Sequence, residues 1–109
     1  MFIPVTHEIY AWFDEGKEYE VRAIKTRFNS RTVYRGRRVQ IARGYSKISF
    51  AGTVTHVVCE RSLKRIFLRI PFQKITPHAR NRREALKIAH ATCGRGRGYI
   101  AFKVVKRRK

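Results

Sequence analysis

Lys17, Glu20 and Arg22 lie on one short stretch, Gly16-Lys17-Glu18-Tyr19-Glu20-Val21-Arg22, and bring together a potential base or nucleophile, a potential general acid and a fixed cation. A lysine works as a base or nucleophile only when burial or a neighbouring cation lowers its pKa. The sequence neighbours of Lys17 are Asp14, Glu15, Glu18 and Glu20, which hold an ammonium protonated. A salt bridge between Lys17 and Glu20 is therefore the plain expectation, and an acid–base pair the sharper one. Ser30, Ser46, Ser49 and Ser62 have no spacing that suggests a catalytic triad. Cys59 and Cys93 stand 34 residues apart without CxxC spacing, each in an apolar run, and read as small buried thiols of a reducing compartment. His7, His56, His78 and His90 pair with neither cysteine at ligand spacing and read as surface or satisfied histidines, so neither a metal site nor a cofactor is expected. The balance of these residues is against catalysis.

Binding chemistry is more plainly written. The chain of 109 residues has a formal net charge of +19, and the charge is segregated: residues 1–20 hold five of the seven acids and one of the 26 bases. A field of one sign on a folded domain costs stability through self-repulsion, and a polyanion relieves it. The cations are interleaved with aromatics and turn formers. Lys25, Arg27, Arg31, Tyr34, Arg35 and Arg37 fill a loop, with Phe28, Asn29 and Ser30 among them. Arg38, Arg43, Tyr45 and Lys47 follow on and after the next strand. Arg80, Arg82 and Arg83 open a helix, where their sign opposes the helix dipole. Arg95 and Arg97 sit in Gly94-Arg95-Gly96-Arg97-Gly98, which reads either as a flexible basic loop that lets phosphates approach the backbone or as an ordinary helix-to-strand turn. Lys106, Arg107, Arg108 and Lys109 form a wholly basic tail. Such a mixture suits RNA bound through phosphates, with a few aromatics for bases.

The elements that must position these residues follow from periodicity. With 43% hydrophobic residues the chain can build a core, so a disordered basic tail is excluded. Thr6 caps a helix through Glu15 with Ile9, Trp12 and Phe13 inward, and Gly16 ends it. Glu18 to Ile24 alternates as a half-buried strand, with Tyr19, Val21 and Ala23 on one face and Glu18, Glu20 and Arg22 on the other. Arg38 to Ala42 is a second short strand. Ile48 to Glu60 is one long strand or two joined at Gly52, apolar on both faces towards its end. Ser62 to Arg69 is helical and stopped by Pro71, Arg80 to Thr92 is a better helix ended by Gly94, and Tyr99 to Val105 is a clear strand. Met1 to Val5 is a short strand or an arm. The order suits a single α+β domain over residues 1–105 with a largely antiparallel curved sheet or barrel, followed by the tail 106–109. No apolar run reaches the roughly 18 residues a membrane span needs, and no secretory signal is evident, so a cytoplasmic protein without a membrane partner is expected.

Several pieces in order carry a family resemblance: Glu15-Gly16-Lys17 followed by Glu20-Val21-Arg22, Gly36 before the Val39 strand, Leu63 and Ile66, the link Phe72-Gln73-Lys74-Ile75-Thr76-Pro77, Glu84-Ala85-Leu86, and Gly98-Tyr99-Ile100-Ala101-Phe102-Lys103-Val104. Together they resemble the ASCH domain of the PUA-like superfamily over nearly the whole chain. The resemblance implies a PUA-like β-barrel flanked by two or three short helices and associated with RNA, with Lys17, Glu20 and Arg22 lining a cleft. Some small bacterial relatives are amidohydrolases of N-acetylated cytidine, and others are linked to RNA cleavage. Glu20 stands where those hydrolases have threonine, and Arg37 where many members carry an acid. The expectation is therefore a very basic member that binds RNA. Because its cations are spread widely, the partner is a large structured RNA, most simply ribosomal RNA, with neighbouring ribosomal proteins beside it. An ASCH-type RNA-processing enzyme or acetylated-nucleoside amidohydrolase is the alternative.

Overall fold

A computed structural model describes residues 1–24 and 33–107. Lys25, Arg27, Arg31, Arg108 and Lys109, all expected to touch RNA, lie outside the described residues. The order of elements is β1 (Phe2–Val5), α1 (His7–Trp12), β2 (Tyr19–Ala23), β3 (Arg38–Arg43), β4 (Ser49–Glu60), α2 (Leu63–Arg69), a 3-10 turn (Phe72–Lys74), α3 (Arg82–Cys93) and β5 (Tyr99–Lys106). The strands form one sheet in the order β1-β3-β4-β5-β2, curled into a half-barrel. All neighbours are antiparallel except β1 and β3, which run parallel with Phe2 opposite Gln40. This α+β half-barrel with three short helices is the architecture expected from the order of elements.

The long strand β4 is the central strand of the sheet. Ser49 to Thr53 pair with β3 and Gly52 to Glu60 with β5, and the register against β5 slips between Val54 and His56, leaving one extra residue as a β-bulge. The interruption falls there and not at Gly52. That glycine is needed for another reason: a Cβ at Gly52 would overlap Val104 Cγ1 on β5 and crowd the Val105 carbonyl.

Two apolar clusters sit on opposite faces of the sheet. The concave side holds Ile3, Ile9, Phe13, Val39, Ile41, Val54, Ile100 and Phe102, closed by α1. On the convex side α2 and α3 cover Val21, Ala23, Tyr99 and Ala101 with Leu63, Ile66, Phe67, Ala85 and Ala89. The apolar residues on both faces at the end of β4 follow from this sandwiching, since Val57 packs on the concave cluster and Val58 on the convex one. Strand β2 is likewise covered on both faces and is not half-buried as its alternation suggests: Val21 is 4% exposed and so is Glu20 on the opposite side.

Three side-chain caps set the helix starts. Thr6, Ser62 and Asn81 accept from the backbone N–H groups of Ile9, Arg65 and Glu84. Helix α1 is shorter than expected, ending at Trp12 before turns that reach Gly16. The cysteines depart from expectation. Cys59 is exposed and Cys93 half-buried, because the apolar run containing Cys59 turns that residue away from both clusters. Partial desolvation of the sulfur, with Glu60 alongside, pushes the Cys59 thiol up, away from nucleophilic use.

Candidate functional site at the seam of the half-barrel

A half-barrel leaves its two edge strands, β1 and β2, facing each other across a seam. Arg22 spans that seam: its NH2 group donates to the Pro4 carbonyl at 2.6 Å and lies 3.3 Å from Glu20 Oε2. A cleft of about 400 Å³ opens beside this bridge, lined by Pro4 and Val5 of β1, Glu20 and Arg22 of β2, Gly44 and Tyr45 of the β3–β4 turn, and Thr92 of α3. Its size falls in the range of roughly 300–1,000 Å³ typical of small-molecule sites. The Tyr45 ring at the rim is 90% exposed, 6.5 Å from the Phe2 ring. Arg22 Nε is buried without a hydrogen-bond partner among the described residues and keeps a donor for a ligand.

Behind this cleft, and sharing Ile9, Glu20, Val21 and Thr92 with it, lies a narrow inner space of about 20 Å³. Lys17 and Thr76 line it. Lys17 is only 6% exposed; its Nζ donates to the Ile75 carbonyl at 2.6 Å and lies 3.7 Å from Glu20 Oε1. The same Glu20 oxygen accepts from the Val21 N–H at 3.1 Å. Two features of the chain make this arrangement. The turn after α1 ties the Lys17 N–H to the Trp12 carbonyl, and the 3-10 turn is held against β2 by the Glu18 N–H donating to the Lys74 carbonyl. The Phe72 to Pro77 link therefore acts as a lid over Lys17.

Burial, outweighing the opposing attraction of Glu20, pushes the Lys17 ammonium below its usual pKa. The sequence neighbours point the other way because three of those four acids turn elsewhere. Asp14 pairs with Lys106, Glu15 with His78, and Glu18 with Lys74 and Lys103. Glu20 lines both spaces, so a ligand in the outer cleft reaches it and Arg22, while Lys17 lines the inner space. A lysine whose proton is loosened beside a carboxylate is suited to proton transfer. Among the described residues no group of His, Cys, Asp and Glu side chains could hold a metal ion.

The structure brings Lys17, Glu20, Arg22 and Tyr45 together and scatters the remaining candidates. Arg35 and Arg37 lie in the turn before β3, with the Arg37 guanidinium 5.4 Å from the Tyr34 ring centroid, and Arg38 is exposed at the start of β3. Arg43 ends β3 half-buried, and Lys47 is exposed in the following turn. Arg82 and Arg83 are exposed on the first turn of α3, and Arg107 is exposed after β5. Two candidates are already engaged, Arg80 with Glu84 and Lys106 with Asp14. Sequence reasoning does not single out Thr76 or Thr92 as site residues. Thr76 sits inside the link that carries part of the family resemblance, which is the one signal for it; for Thr92 there is none.

Fold and cleft together define a small α+β protein built on a curled half-barrel with a pocket at its seam. The fold recurs in solved structures: the crystal structure of hypothetical protein PH0355 matches at a TM-score of 0.79 and 14% identity over 97% of both chains. The solution structure of protein PF0455 from Pyrococcus furiosus matches at a TM-score of 0.71 and 12% identity, over 99% of this chain and 97% of that one. At such identities the likeness shows the fold alone. No family model and no curated protein matches the sequence. Among the described residues no helix is long and apolar enough to cross a membrane.

Proposed function

We propose that the protein binds RNA, gripping phosphates with arginines and lysines on several of its sides and receiving an unpaired nucleotide at the seam. The observation that carries this reading is how the acids are spent. Among the described residues Asp14, Glu18, Glu20, Glu60 and Glu84 are ion-paired with lysine or arginine, and Glu15 is hydrogen-bonded to His78. Left without an acidic partner among the described residues are Arg35, Arg37, Arg38, Arg43 and Lys47 around β3. Arg61, Lys64 and Arg65 around α2, Arg82, Arg83 and Lys87 on α3, and Arg95, Arg97 and Arg107 near β5 are equally unpaired. Internal pairing therefore leaves the positive field uncompensated, and the field faces many directions. A large folded RNA that wraps the protein suits this distribution, and a stable ribonucleoprotein, with ribosomal RNA as the partner and ribosomal proteins as neighbours, is its simplest form. Tyr45 at the rim offers a stacking surface and Arg22 a donor for the base or ribose. The test is sedimentation of the native protein at moderate salt. Travel with ribosomal subunits supports the ribosomal form, and recovery wholly in the free fraction, with no RNA co-purifying, refutes it.

A second reading is favoured by one feature, the depressed pKa of Lys17 beside Glu20. It makes the seam the active site of an ASCH-type hydrolase of acetylated nucleosides or an RNA-processing enzyme. On this reading Lys17→Ala abolishes turnover while RNA affinity barely changes. Lack of turnover by the wild type across a panel of acetylated nucleosides and RNAs excludes it.

A further inference from the structure

A second concavity, of about 400 Å³, lies at the opposite end of the β4–β5 ladder from Tyr45, where Glu60 faces Tyr99. Arg61, Arg65 and Arg97 line it, with Ile24, Cys59 and Gly98. These three arginines come from three places: the β4–α2 turn, the first turn of α2 and the loop between α3 and β5. None has an acidic partner among the described residues. The one carboxylate of the concavity, Glu60, pairs with Arg69 Nη1 at 3.0 Å.

The loop that supplies Arg97 is fixed in place. The Ile24 N–H donates to the Gly98 carbonyl at 2.8 Å, and the Arg97 N–H donates back to the Ile24 carbonyl at 3.3 Å. Gly96 is pressed on the end of β2 so closely that a Cβ there would meet Ala23 Cβ at 2.8 Å. Of the two readings of the Gly-Arg segment, an ordered turn therefore replaces a loose basic loop. The Arg97 side chain thus starts from a backbone position set against β2, and Arg61 and Arg65 from the capped start of α2. Three guanidinium forks around one concavity, whose single carboxylate is already paired with Arg69, suit an oxyanion that accepts several hydrogen bonds at once.

We propose that Arg61, Arg65 and Arg97 form a phosphate-binding site. The site stands on this geometry alone; that its phosphate belongs to the backbone of a bound RNA rests on the function proposed above. Ile24, which lines it, lies two residues beyond the Arg22 of the seam, so the site is a second anchor for a strand or helix that also engages the seam.

The test titrates inorganic phosphate and then pyrophosphate into the 15N-labelled full chain and follows the arginine Nε–H resonances, assigned by single Arg→Gln variants. The three Nε–H groups of Arg61, Arg65 and Arg97 are expected to shift together along one binding curve. Replacing all three by Gln is expected to weaken phosphate binding by roughly tenfold or more, the loss of at least one charge-assisted hydrogen bond. A control triple, Arg82→Gln with Arg83→Gln and Lys87→Gln, removes the same charge from α3 and is expected to leave the curve nearly unchanged. Equal weakening by the two triples, or shifts spread evenly over the arginines, overturns the site. In the RNA arm, the Arg61/Arg65/Arg97 triple is expected to lower the slope of log affinity against log salt by roughly 0.7–0.9 per phosphate released. An unchanged slope, with RNA failing to displace phosphate, overturns the assignment to RNA. If the wild type binds no RNA, the functional reading falls while the phosphate titration still decides the site.

Discussion

If Arg22 closes the seam, Arg22→Ala should open it. The substitution removes the 2.6 Å hydrogen bond to the Pro4 carbonyl and the 3.3 Å ion pair with Glu20. A hydrogen bond from a charged donor contributes about 1.5–3 kcal/mol, and breaking a fully buried ion pair costs about 3–5 kcal/mol. The Arg22 side chain is 32% exposed, so water replaces part of both interactions and the lower ends of these ranges apply. A loss of about 2–3 kcal/mol follows, or a drop in Tm of about 8–12 °C at about 4 °C per kcal/mol for a domain of this size. Arg22→Lys keeps one cation and can satisfy either Pro4 or Glu20 but not both, so about half the loss is expected. Urea denaturation of the three proteins measures the difference. Amide exchange locates it, with β1 and β2 losing protection before β4, which is paired on both sides. An Arg22→Ala protein within about 0.5 kcal/mol of wild type, the ordinary spread of surface substitutions, would refute the idea that this side chain holds the seam.

Lys17→Met should change how stability depends on pH. The folded-state pKa of Lys17 lies below its ordinary 10.5, so between the two values the unfolded chain binds the extra proton. Wild-type stability must therefore rise with pH across that window, by at most about 1.36 kcal/mol per pH unit. The gap between wild type and Lys17→Met moves in favour of wild type up to about pH 10.5 and is flat above it; parallel curves would contradict the burial argument. Gly52→Ala forces a methyl onto Val104 and should cost about 1–3 kcal/mol in thermal or urea denaturation, whereas unchanged stability would mean β4 and β5 adjust freely there. Arg35→Glu with Arg37→Glu should weaken RNA binding and flatten its salt slope by roughly 0.7–0.9 for each phosphate that is no longer neutralised, measured by filter binding at several salt concentrations. An unchanged slope removes that turn from the interface.

The elements were largely legible because each carries its own punctuation. Thr6 and Ser62 mark helix starts, Pro71 and Gly94 mark stops, and the alternation of β2 assigns its faces correctly, whereas the start of α3, expected at Arg80, falls after the Asn81 cap at Arg82. The curl of the sheet was less so. Nothing local in the Val54 to His56 stretch announces a bulge, since Val, Thr and His are all acceptable in a regular strand. Of the site, Lys17, Glu20 and Arg22 were visible as a cluster, but their environment was not. Sequence proximity made Asp14, Glu15 and Glu18 partners of Lys17, while the fold gives them to Lys106, His78, Lys74 and Lys103. Each of those partners lies far along the chain from its acid, and no pattern read along the sequence could have supplied them. Arg61 and Arg65 were missed as a site for the same reason. They meet Arg97 because the antiparallel pairing of β4 with β5 sets Glu60 opposite Tyr99.

The segregation of charge along the chain acquires a physical sense in this arrangement. The acid-rich first twenty residues wrap from α1 into β2 and tie down cations from the 3-10 turn and from the end of β5. Each such pair is at least partly exposed and worth little to stability. Their larger effect is on the field, since they cancel charge around the turn between α1 and β2 and leave it uncancelled at the turn before β3, on α3 and around Arg97. A uniformly basic surface would hold any polyanion in any pose. On the RNA-binding function proposed above, a neutralised patch bordered by bare arginines would instead favour poses in which phosphates pass to either side of it. Charge reversal by Asp14→Lys should therefore raise overall RNA affinity while weakening its discrimination between structured and unstructured RNA, and binding isotherms for the two RNAs would show it. If affinity for the two rose in equal proportion, the acids would be serving stability alone.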